Sequence, residues 1–193
     1  MEDRPPREMS LSAEQRRVLR GFSFVTLKPE LLVANVDETQ TDDALPSFAA
    51  LKELAGEKGI QLIRVYGRME MELAELSREE QTEFMDELGL VEPGRNRLVS
   101  GAYALLGLIS FFTTGKDEVK AWTLLKGKTA VDAAGAIHSD LARGFIRAQV
   151  VSYDDFMAND QSLPKCREKG VLRLEGKDYI VADGDMIEIR FNV

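Results

Sequence analysis

An asparagine followed three residues later by a glutamate is the pair in this sequence best suited to read a nucleotide base. Asn35 closes the apolar run 31–34, and Val36, Asp37 and Glu38 come directly after it. A side-chain amide offers donors and an acceptor to a purine edge, and a carboxylate accepts from ring or exocyclic N–H groups. The alternative interpretation is an Asx turn, in which the side chain only bonds nearby backbone.

A second strand-like run ends where it could complete the same pocket. The run IQLIRVYG, residues 60–67, finishes at Tyr66 and Gly67. If both runs are parallel strands of one sheet, their carboxyl ends share the edge at which open α/β sheets bind ligands. A backbone N–H of Tyr66 or Gly67 would then lie beside Asn35, where a second base contact is required.

Gly127-Lys128-Thr129 superficially suggests a phosphate-binding loop. A Walker A loop also needs a glycine five residues before Gly127, so that several N–H groups curl toward the phosphates. That position holds Trp122. We therefore interpret the segment as a turn before a helix that begins with Thr129 as its N-cap. Trp122 itself is either a core residue or a stacking platform for a base, and its strand spacing favours the core.

Cations in the second half of the chain could contact nucleic acid or a ribosome. The candidates are Lys126 and Lys128 before the predicted helix, and His138, Arg143 and Arg147 after it. Affinity from such contacts would fall steeply with salt. The alternative interpretations are solvated lysines around a turn and, for His138, a helix-end histidine that bonds a carbonyl.

Metal sites and catalytic carboxylates are not indicated. One histidine and one cysteine, Cys166, give no ligand cluster and no intramolecular disulfide. Asp154-Asp155 and Asp183-Gly184-Asp185 are predicted as turns, because no adjacent base or metal partner supports paired-carboxylate catalysis. We expect no catalytic residue and no metal ligand in this sequence.

Composition and charge indicate an ordinary globular protein. The 193 residues are 44% hydrophobic and 30% charged, with a formal net charge of −8 that argues against a general nucleic-acid coat. Most of the negative excess lies before residue 110, so the second half could still carry a local basic face. The longest apolar stretch is too short to span a bilayer. We expect a cytoplasmic monomer without a membrane partner.

The pattern of elements predicts two different architectures in the two halves. Ser12 and Gln15 form a capping box before a helix that stops at Gly21. Strand, helix, strand over residues 31–65 is a βαβ unit, whose continuous apolar first run predicts a strand buried on both faces. Helices with a break near Ser77 follow. From residue 109, short β-branched runs surround one helix, which predicts an α+β grasp-like domain.

The order of these segments resembles the YchF family, the Obg-like ATPases of the P-loop class. The resemblance rests on these segments: GFSFVTLKPELLVANVDE, EFMDELGL, ISFFTTGKDEVKAWTLLKG, AAGAIHSDLARGFIRAQVVSYDDF and EGKDYIVADGDMIEIRFNV. It covers essentially residues 10–193 and includes the FNV ending. In this family the base-reading N-K-x-D motif of GTPases becomes N-x-x-E, and Asn35 to Glu38 match that form. The longer carboxylate implies acceptance of ATP, often in preference to GTP.

The resemblance implies an α+β fold with three parts. Residues 1–28 would end a helical arm and residues 29–109 would form the C-terminal half of a nucleotide-binding domain, a βαβ remnant plus helices. Residues 110–193 would form a ubiquitin-like β-grasp TGS domain. Because no Walker A loop is found, we expect a part of an ATP- or GTP-hydrolysing protein that is inactive alone. Mg²⁺ would be held only with the missing N-terminal part. The alternative is a non-enzymatic TGS module that docks on ribosomal RNA or protein.

Overall fold

A computed structural model describes residues 4–37, 46–114 and 118–192 of the chain. The chain divides into two compact units, Met1–Leu106 and Gly107–Val193. Both contain helices and strands, as the predicted α+β class requires. None of the helices in the described ranges combines the length and the apolar content that crossing a bilayer requires.

The first unit begins with helix α1, Ala13–Arg20, whose ends follow the predicted signals. Ser12 accepts the backbone N–H of Gln15, and the Gln15 side chain accepts the N–H of Ser12. This reciprocal capping box fixes the start of the helix, and Gly21 is its C-cap. Short 3₁₀ turns at Pro6–Glu8 and Val25–Leu27 flank α1.

A parallel pair of strands carries the candidate base-reading residues. Strands β1, Leu31–Asn35, and β2, Gln61–Val65, are joined through helix α2, Pro46–Lys58. Their register places Leu31 opposite Gln61 and Asn35 opposite Val65, so both strands end at the same edge. The predicted βαβ unit is therefore confirmed.

The prediction that the first strand is buried on both faces is wrong. Ala34 is its buried residue, whereas Val33 is 46% exposed. Val33 lies opposite Ile63, which is buried at 6% exposure. Within the described ranges, a helix therefore covers Ile63 of β2 but leaves Val33 of β1 exposed. A continuous apolar run shows that a strand can be buried on both faces, but it is buried only where another element packs on each face.

Three helices follow β2 and complete the first unit. They are α3, Gly67–Glu75, α4, Arg78–Glu87, and α5, Gly94–Leu105. The predicted break at Ser77 is the N-cap of α4, where Ser77 and Glu80 form a second capping box. Helix α5 packs closely on β2 because Gly101 has no side chain: a Cβ there would lie 2.5 Å from the Ile63 Cδ1 atom.

The second unit is a five-stranded sheet with β-grasp topology. Its strands are β3, Leu108–Thr114, β4, Val119–Leu125, β5, Phe145–Ser152, β6, Arg173–Glu175, and β7, Asp185–Phe191. The spatial order is β4-β3-β7-β5-β6, with β3 parallel to β7 and the other pairs antiparallel. Helix α6, Ala130–Ile137, crosses one face, and its alanines pack on Phe111, Val150 and Ile187.

Short helices cover part of the opposite face of this sheet. Helix α7, Ser139–Arg143, is not among them, because it follows α6 and packs on the same core cluster as α6. The single predicted helix is therefore two helices that meet at His138. Helices α8, Tyr153–Ala158, and α9, Leu163–Glu168, come after β5 and were not predicted. They cover a second buried cluster that includes Phe112, Val151 and Met186. Asp154 and Asp155 lie in the first turn of α8 rather than in a turn, because Ser152 caps that helix by accepting the Asp155 N–H.

Candidate functional site

The two strand ends of the first unit are joined through the side chain of Asn35. The backbone N–H of Gly67 donates to Asn35 Oδ1 over 2.9 Å, and the N–H of Val36 donates to the carbonyl oxygen of Val65 over 3.0 Å. Gly67 is the first residue of α3, and a helix provides no internal acceptor for its first N–H groups. Asn35 supplies that acceptor, so the asparagine bonds across 32 residues of sequence and not within an Asx turn.

This arrangement requires a residue without a side chain at position 67. A Cβ there would lie 2.8 Å from Asn35 Oδ1 and 3.1 Å from Asn35 Nδ2. Because the oxygen of the amide is engaged by Gly67, its NH₂ group is the part of the side chain that can donate to another partner. The structure thus brings Asn35, Tyr66 and Gly67 together.

An arginine and two aromatic rings lie beside this strand end. The guanidinium carbon of Arg64 lies 5.3 Å from the centre of the Tyr66 ring and 6.0 Å from the centre of the Phe48 ring. Both distances are within the range of cation–π attraction. Tyr66 is also the residue that precedes α3, so its backbone position is tied to the start of that helix.

The two other members of the predicted base site are Val36 and Glu38. Val36 is half-buried and follows β1 directly, and the next residue, Asp37, is exposed. Glu38, the predicted base-reading carboxylate, lies outside the described residues. Its role therefore stays a prediction.

A groove in the first unit runs along β2. It has a volume of about 570 Å³, and its lining includes Gln61, Ile63, Arg64 and Gly101. The guanidinium group of Arg64 also contacts the Tyr66 ring. The groove therefore extends along β2 to the residue that lies beside the candidate base site.

Glu70, a carboxylate that the sequence analysis did not identify, links helix α3 to helix α5. Glu70, in the first turn of α3, accepts the backbone N–H groups of Gly94 over 2.5 Å and Arg95 over 3.4 Å. These are the first N–H groups of α5, so Glu70 acts as a cap supplied from another helix. Gly94 permits the approach, since a Cβ there would lie 2.7 Å from Glu70 Oε1. No local spacing in the sequence predicts such a cap, because Gly94 and Arg95 lie 24 and 25 residues after Glu70.

The predicted ribosome-binding cations of the second unit do not form one patch. Lys126 and Lys128 precede the N-terminus of α6, whereas His138 and Arg143 follow its C-terminus. Eight helical residues separate the two groups, a rise of about 12 Å. Lys128 also pairs with Asp132, and Arg143 pairs with Asp140.

His138 is a helix cap of a kind that the sequence did not predict. It ends α6 and precedes α7, and its Nδ1 accepts the backbone N–H of Asp140 over 3.2 Å. The alternative interpretation placed His138 correctly at a helix end but was wrong about its partner, because the ring accepts a backbone N–H of α7 instead of donating to a carbonyl. Its side chain is 64% exposed.

Arg147 lies on the face of the sheet that α6 does not cover. Its cross-strand partner is Arg190, and the next pair along the two strands is Ala148 with Ile189. Ala148 and Ile189 pack on the α6 side, so the two arginines face the other way. A β-bulge at residue 146 shifts the alternation of β5 and separates Arg147 from the buried Phe145.

Trp122 belongs to the core side of the sheet, as its spacing favours. It packs against the cluster beneath α6, and its indole N–H donates to Thr113 Oγ1 over 2.9 Å. Lys120 Nζ lies 4.3 Å from the centre of its ring. With both its edge and its face in contact, the indole is a structural residue.

A buried carboxylate orders the loop before β7. Asp185 is 2% exposed and accepts the Tyr179 hydroxyl and the Ala182 N–H, each over 2.8 Å. Arg173 donates to the same hydroxyl over 3.0 Å. Burial and the hydrogen bond to Asp185 raise the pKa of Tyr179. The turn at Gly184, φ 81°, is as predicted, but the burial of Asp185 was not foreseen.

The described ranges contain no group of three or more His, Cys, Asp or Glu side chains that could hold a metal ion. The thiol of Cys166 is fully buried, and burial raises its pKa. A buried thiol of raised pKa is a poor nucleophile at neutral pH.

Comparison with known proteins gives one consistent group. A family model named YchF-GTPase_C, described as a protein of unknown function (DUF933), matches residues 108–192. The chain is 46% identical over 187 residues to a protein of Escherichia coli O157:H7 named ribosome-binding ATPase YchF, covering 97% of this chain and 51% of the relative. It is 42% identical over 193 residues to the Bacillus subtilis (strain 168) protein of the same name, covering 99% and 52%.

Solved structures show the same similarity. The YchF GTPase of Schizosaccharomyces pombe superposes with a TM-score of 0.81 at 27% identity, covering 97% of this chain and 50% of that one. A GTP-binding protein of Pyrococcus horikoshii OT3 shares the fold, with a TM-score of 0.57 at 19% identity over 86% of this chain and 46% of that one. The chain spans about half the length of the curated relatives it matches.

Proposed function

This chain belongs to the YchF family, and on that premise we propose that it is the base-reading and docking part of a ribosome-associated ATP- or GTP-hydrolysing protein. The observation that carries the proposal is the bond between Asn35 and Gly67 at the ends of two parallel strands. It lies in a chain that is similar to the ribosome-binding relatives over nearly its whole length. Residues 1–28, 29–109 and 110–193 then correspond to the end of a helical arm, half of a nucleotide-binding domain and a TGS domain.

Asn35 would hold the base through donors. Its oxygen accepts from Gly67, so its NH₂ group is directed to an acceptor such as the N7 atom that adenine and guanine share. An atom common to both purines gives affinity without discrimination. Choice between ATP and GTP would therefore rest on Glu38, with the backbone at Tyr66 as a second contact and Val36 in place of a stacking lysine.

Hydrolysis would need groups that these 193 residues do not show. The sequence has no Walker A pattern, and the described residues show no carboxylate cluster for Mg²⁺. A bound Mg²⁺ supplies charge neutralisation at the phosphates, and it would enter with a phosphate-binding segment. The part played by this chain is to position the base and to order the strand edge around it.

The second unit would dock on the ribosome, through RNA or through a ribosomal protein. It has its own buried core beneath α6, so the fold of the docking surface does not depend on a nucleotide. The same observation supports the second candidate, a non-enzymatic TGS binding module. The basic candidates are Lys126, Lys128, His138, Arg143 and Arg147. Docking on a ribosome would make the protein cytoplasmic, and we propose that it acts as a monomer.

Two measurements on the 193-residue chain test these functions separately. The first is a ¹H–¹⁵N NMR titration with adenosine and guanosine nucleotides, in which we expect shifts at the Asn35 side-chain amide and at the Gly67 N–H. The shift at Gly67 should be absent in Asn35→Ala and present in the matched control Asn96→Ala, which changes an exposed asparagine of α5. The second is co-sedimentation with ribosomes. Shifts that leave Asn35 and Gly67 unaffected would refute the base site, and an absence of co-sedimentation would refute docking by this chain.

A further inference from the structure

The uncovered end of the second unit's sheet carries two arginines directly opposite each other. Arg147 on β5 pairs with Arg190 on β7, and both are exposed. Cross-strand partners have Cβ atoms about 5 Å apart, and like charges at that distance destabilise a sheet. The pair therefore has an unfavourable effect on the fold that a bound anion would reverse.

One carboxylate shares the face of the pair, but it forms no ion pair with either arginine in the described residues. Within the described residues no ion pair involves Arg147 or Arg190. Glu188 shares their face two residues before Arg190, opposite Gln149. Gln149 is 6% exposed, and its side-chain oxygen accepts from the Arg190 guanidinium over 3.1 Å. This bond orients Arg190 without removing its charge.

The surface around the pair is partly apolar. Helices α8 and α9 cover the row that contains Val151, Met186 and Phe112, and they leave the arginine end of the sheet open. Leu174, opposite Gln149 on β6, is 54% exposed at this end. Arginine on an open sheet is suited to an extended RNA strand, because guanidinium groups bind phosphate bidentately and stack on bases.

We propose that the Arg147–Arg190 face binds the phosphate backbone of ribosomal RNA. The inference rests on the proposed ribosome docking and assigns it to this face rather than to either end of α6. Most of the chain's net charge of −8 lies before residue 110, so the first unit should repel a polyanion. Two arginines contact a few phosphates, so the salt slope is smaller than the steep one expected if all the basic candidates took part.

The test compares two double variants of the 193-residue chain for co-sedimentation with ribosomes and with purified ribosomal RNA, over a range of salt. Arg147→Gln/Arg190→Gln is the test variant, and Lys169→Gln/Lys177→Gln is a control with the same change in charge at two other exposed positions. We expect the test variant to bind more weakly. Its slope of log affinity against log salt should be lower by about two, one for each lost phosphate contact. The control should bind like the wild type.

Further variants separate the effect of charge on RNA binding from effects on folding stability and from the effect of guanidinium geometry. Arg147→Gln alone removes one of the two opposed charges and a side chain for which the structure shows no polar partner, so its melting temperature should be equal to or above that of the wild type. Its salt slope should be lower than the wild-type slope by about one, half of the change in the double variant. Arg147→Lys/Arg190→Lys keeps both charges but loses bidentate geometry, and should keep the slope while binding more weakly.

Three results would overturn the inference while leaving ribosome docking in place. One is wild-type binding with an unchanged salt slope in the Arg147→Gln/Arg190→Gln variant. Another is a loss of binding in Lys126→Gln/Lys128→Gln that exceeds the loss in the arginine variant. The third is a defect on intact ribosomes without a defect on purified RNA, which would identify a protein partner. If the wild-type chain binds neither ribosomes nor RNA, ribosome docking itself is wrong.

Discussion

Replacing Asn35 with alanine should speed hydrogen exchange at the backbone N–H of Gly67, which bonds the Asn35 side chain. The variant removes the acceptor of the Gly67 N–H, and that N–H has no acceptor within α3 because it is the first of the helix. Water would replace the lost oxygen. The fold of the two strands should persist, since the Val36 N–H still bonds the Val65 carbonyl oxygen.

The size of the effect follows from the single bond that is lost. A hydrogen bond of this kind contributes about 0.5 to 1.5 kcal/mol, and about 1.4 kcal/mol corresponds to a factor of ten. Hydrogen exchange at Gly67 should accelerate by roughly 2- to 12-fold. Because Asn35 is exposed, we expect the lower part of that range.

NMR-detected amide exchange measures this directly. Val36 is the internal reference, and Asn96→Ala is the control variant. Adding a purine nucleotide should slow exchange at Gly67 in the wild type and leave Asn35→Ala unaffected. Unchanged exchange at Gly67 in Asn35→Ala would refute the bond on which the base site is built.

Three further predictions concern turnover, base choice and pH. Because the sequence has no Walker A pattern, the 193-residue chain should hydrolyse neither ATP nor GTP above background in a phosphate-release assay. In a full-length nucleotide-binding context, Glu38→Asp should shift preference toward guanine nucleotides by about 1 to 3 kcal/mol, measured by competitive titration. Because burial and Asp185 raise the folded-state pKa of Tyr179, its contribution to the free energy of unfolding is complete below about pH 10. That contribution should be lost as the pH rises through the folded-state value, as urea unfolding at pH 8 to 11 would show.

Specific outcomes would contradict the expected turnover, base preference and alkaline loss of stability. Turnover by pure chain that disappears in Asn35→Ala would show that the chain is catalytic. An unchanged ratio of ATP to GTP affinity in Glu38→Asp would show that this carboxylate does not read the base. Tyr179→Phe should lack the alkaline loss of stability, whereas Tyr153→Phe, at an exposed tyrosine, should retain it. Equal loss in both variants would mean that Tyr179 is not the titrating group.

Local signals in the sequence determined the starts of helices α1, α4 and α6 and the order of the strands. Ser12 with Gln15, Ser77 with Glu80 and Thr129 with Asp132 each form a capping box within four residues. Such a bond depends on the backbone of one turn, so its partners can be identified from spacing alone. Short β-branched and aromatic runs separated by turn residues indicated the strands of the second unit, because these too are local patterns. The short helices α8 and α9 were missed because the Asp154-Asp155 pair of α8 and Pro164 of α9 are residues typical of turns.

Tertiary structure alone decided which distant residues meet. Asn35 with Gly67, Glu70 with Gly94, and Arg147 with Arg190 are separated by 32, 24 and 43 residues. Strand register sets which residues oppose each other, and one bulge at residue 146 moves every later side chain of β5 to the other face. The sequence therefore determined which residues could bind a base or a phosphate, and the pairing of strands decided where their side chains point.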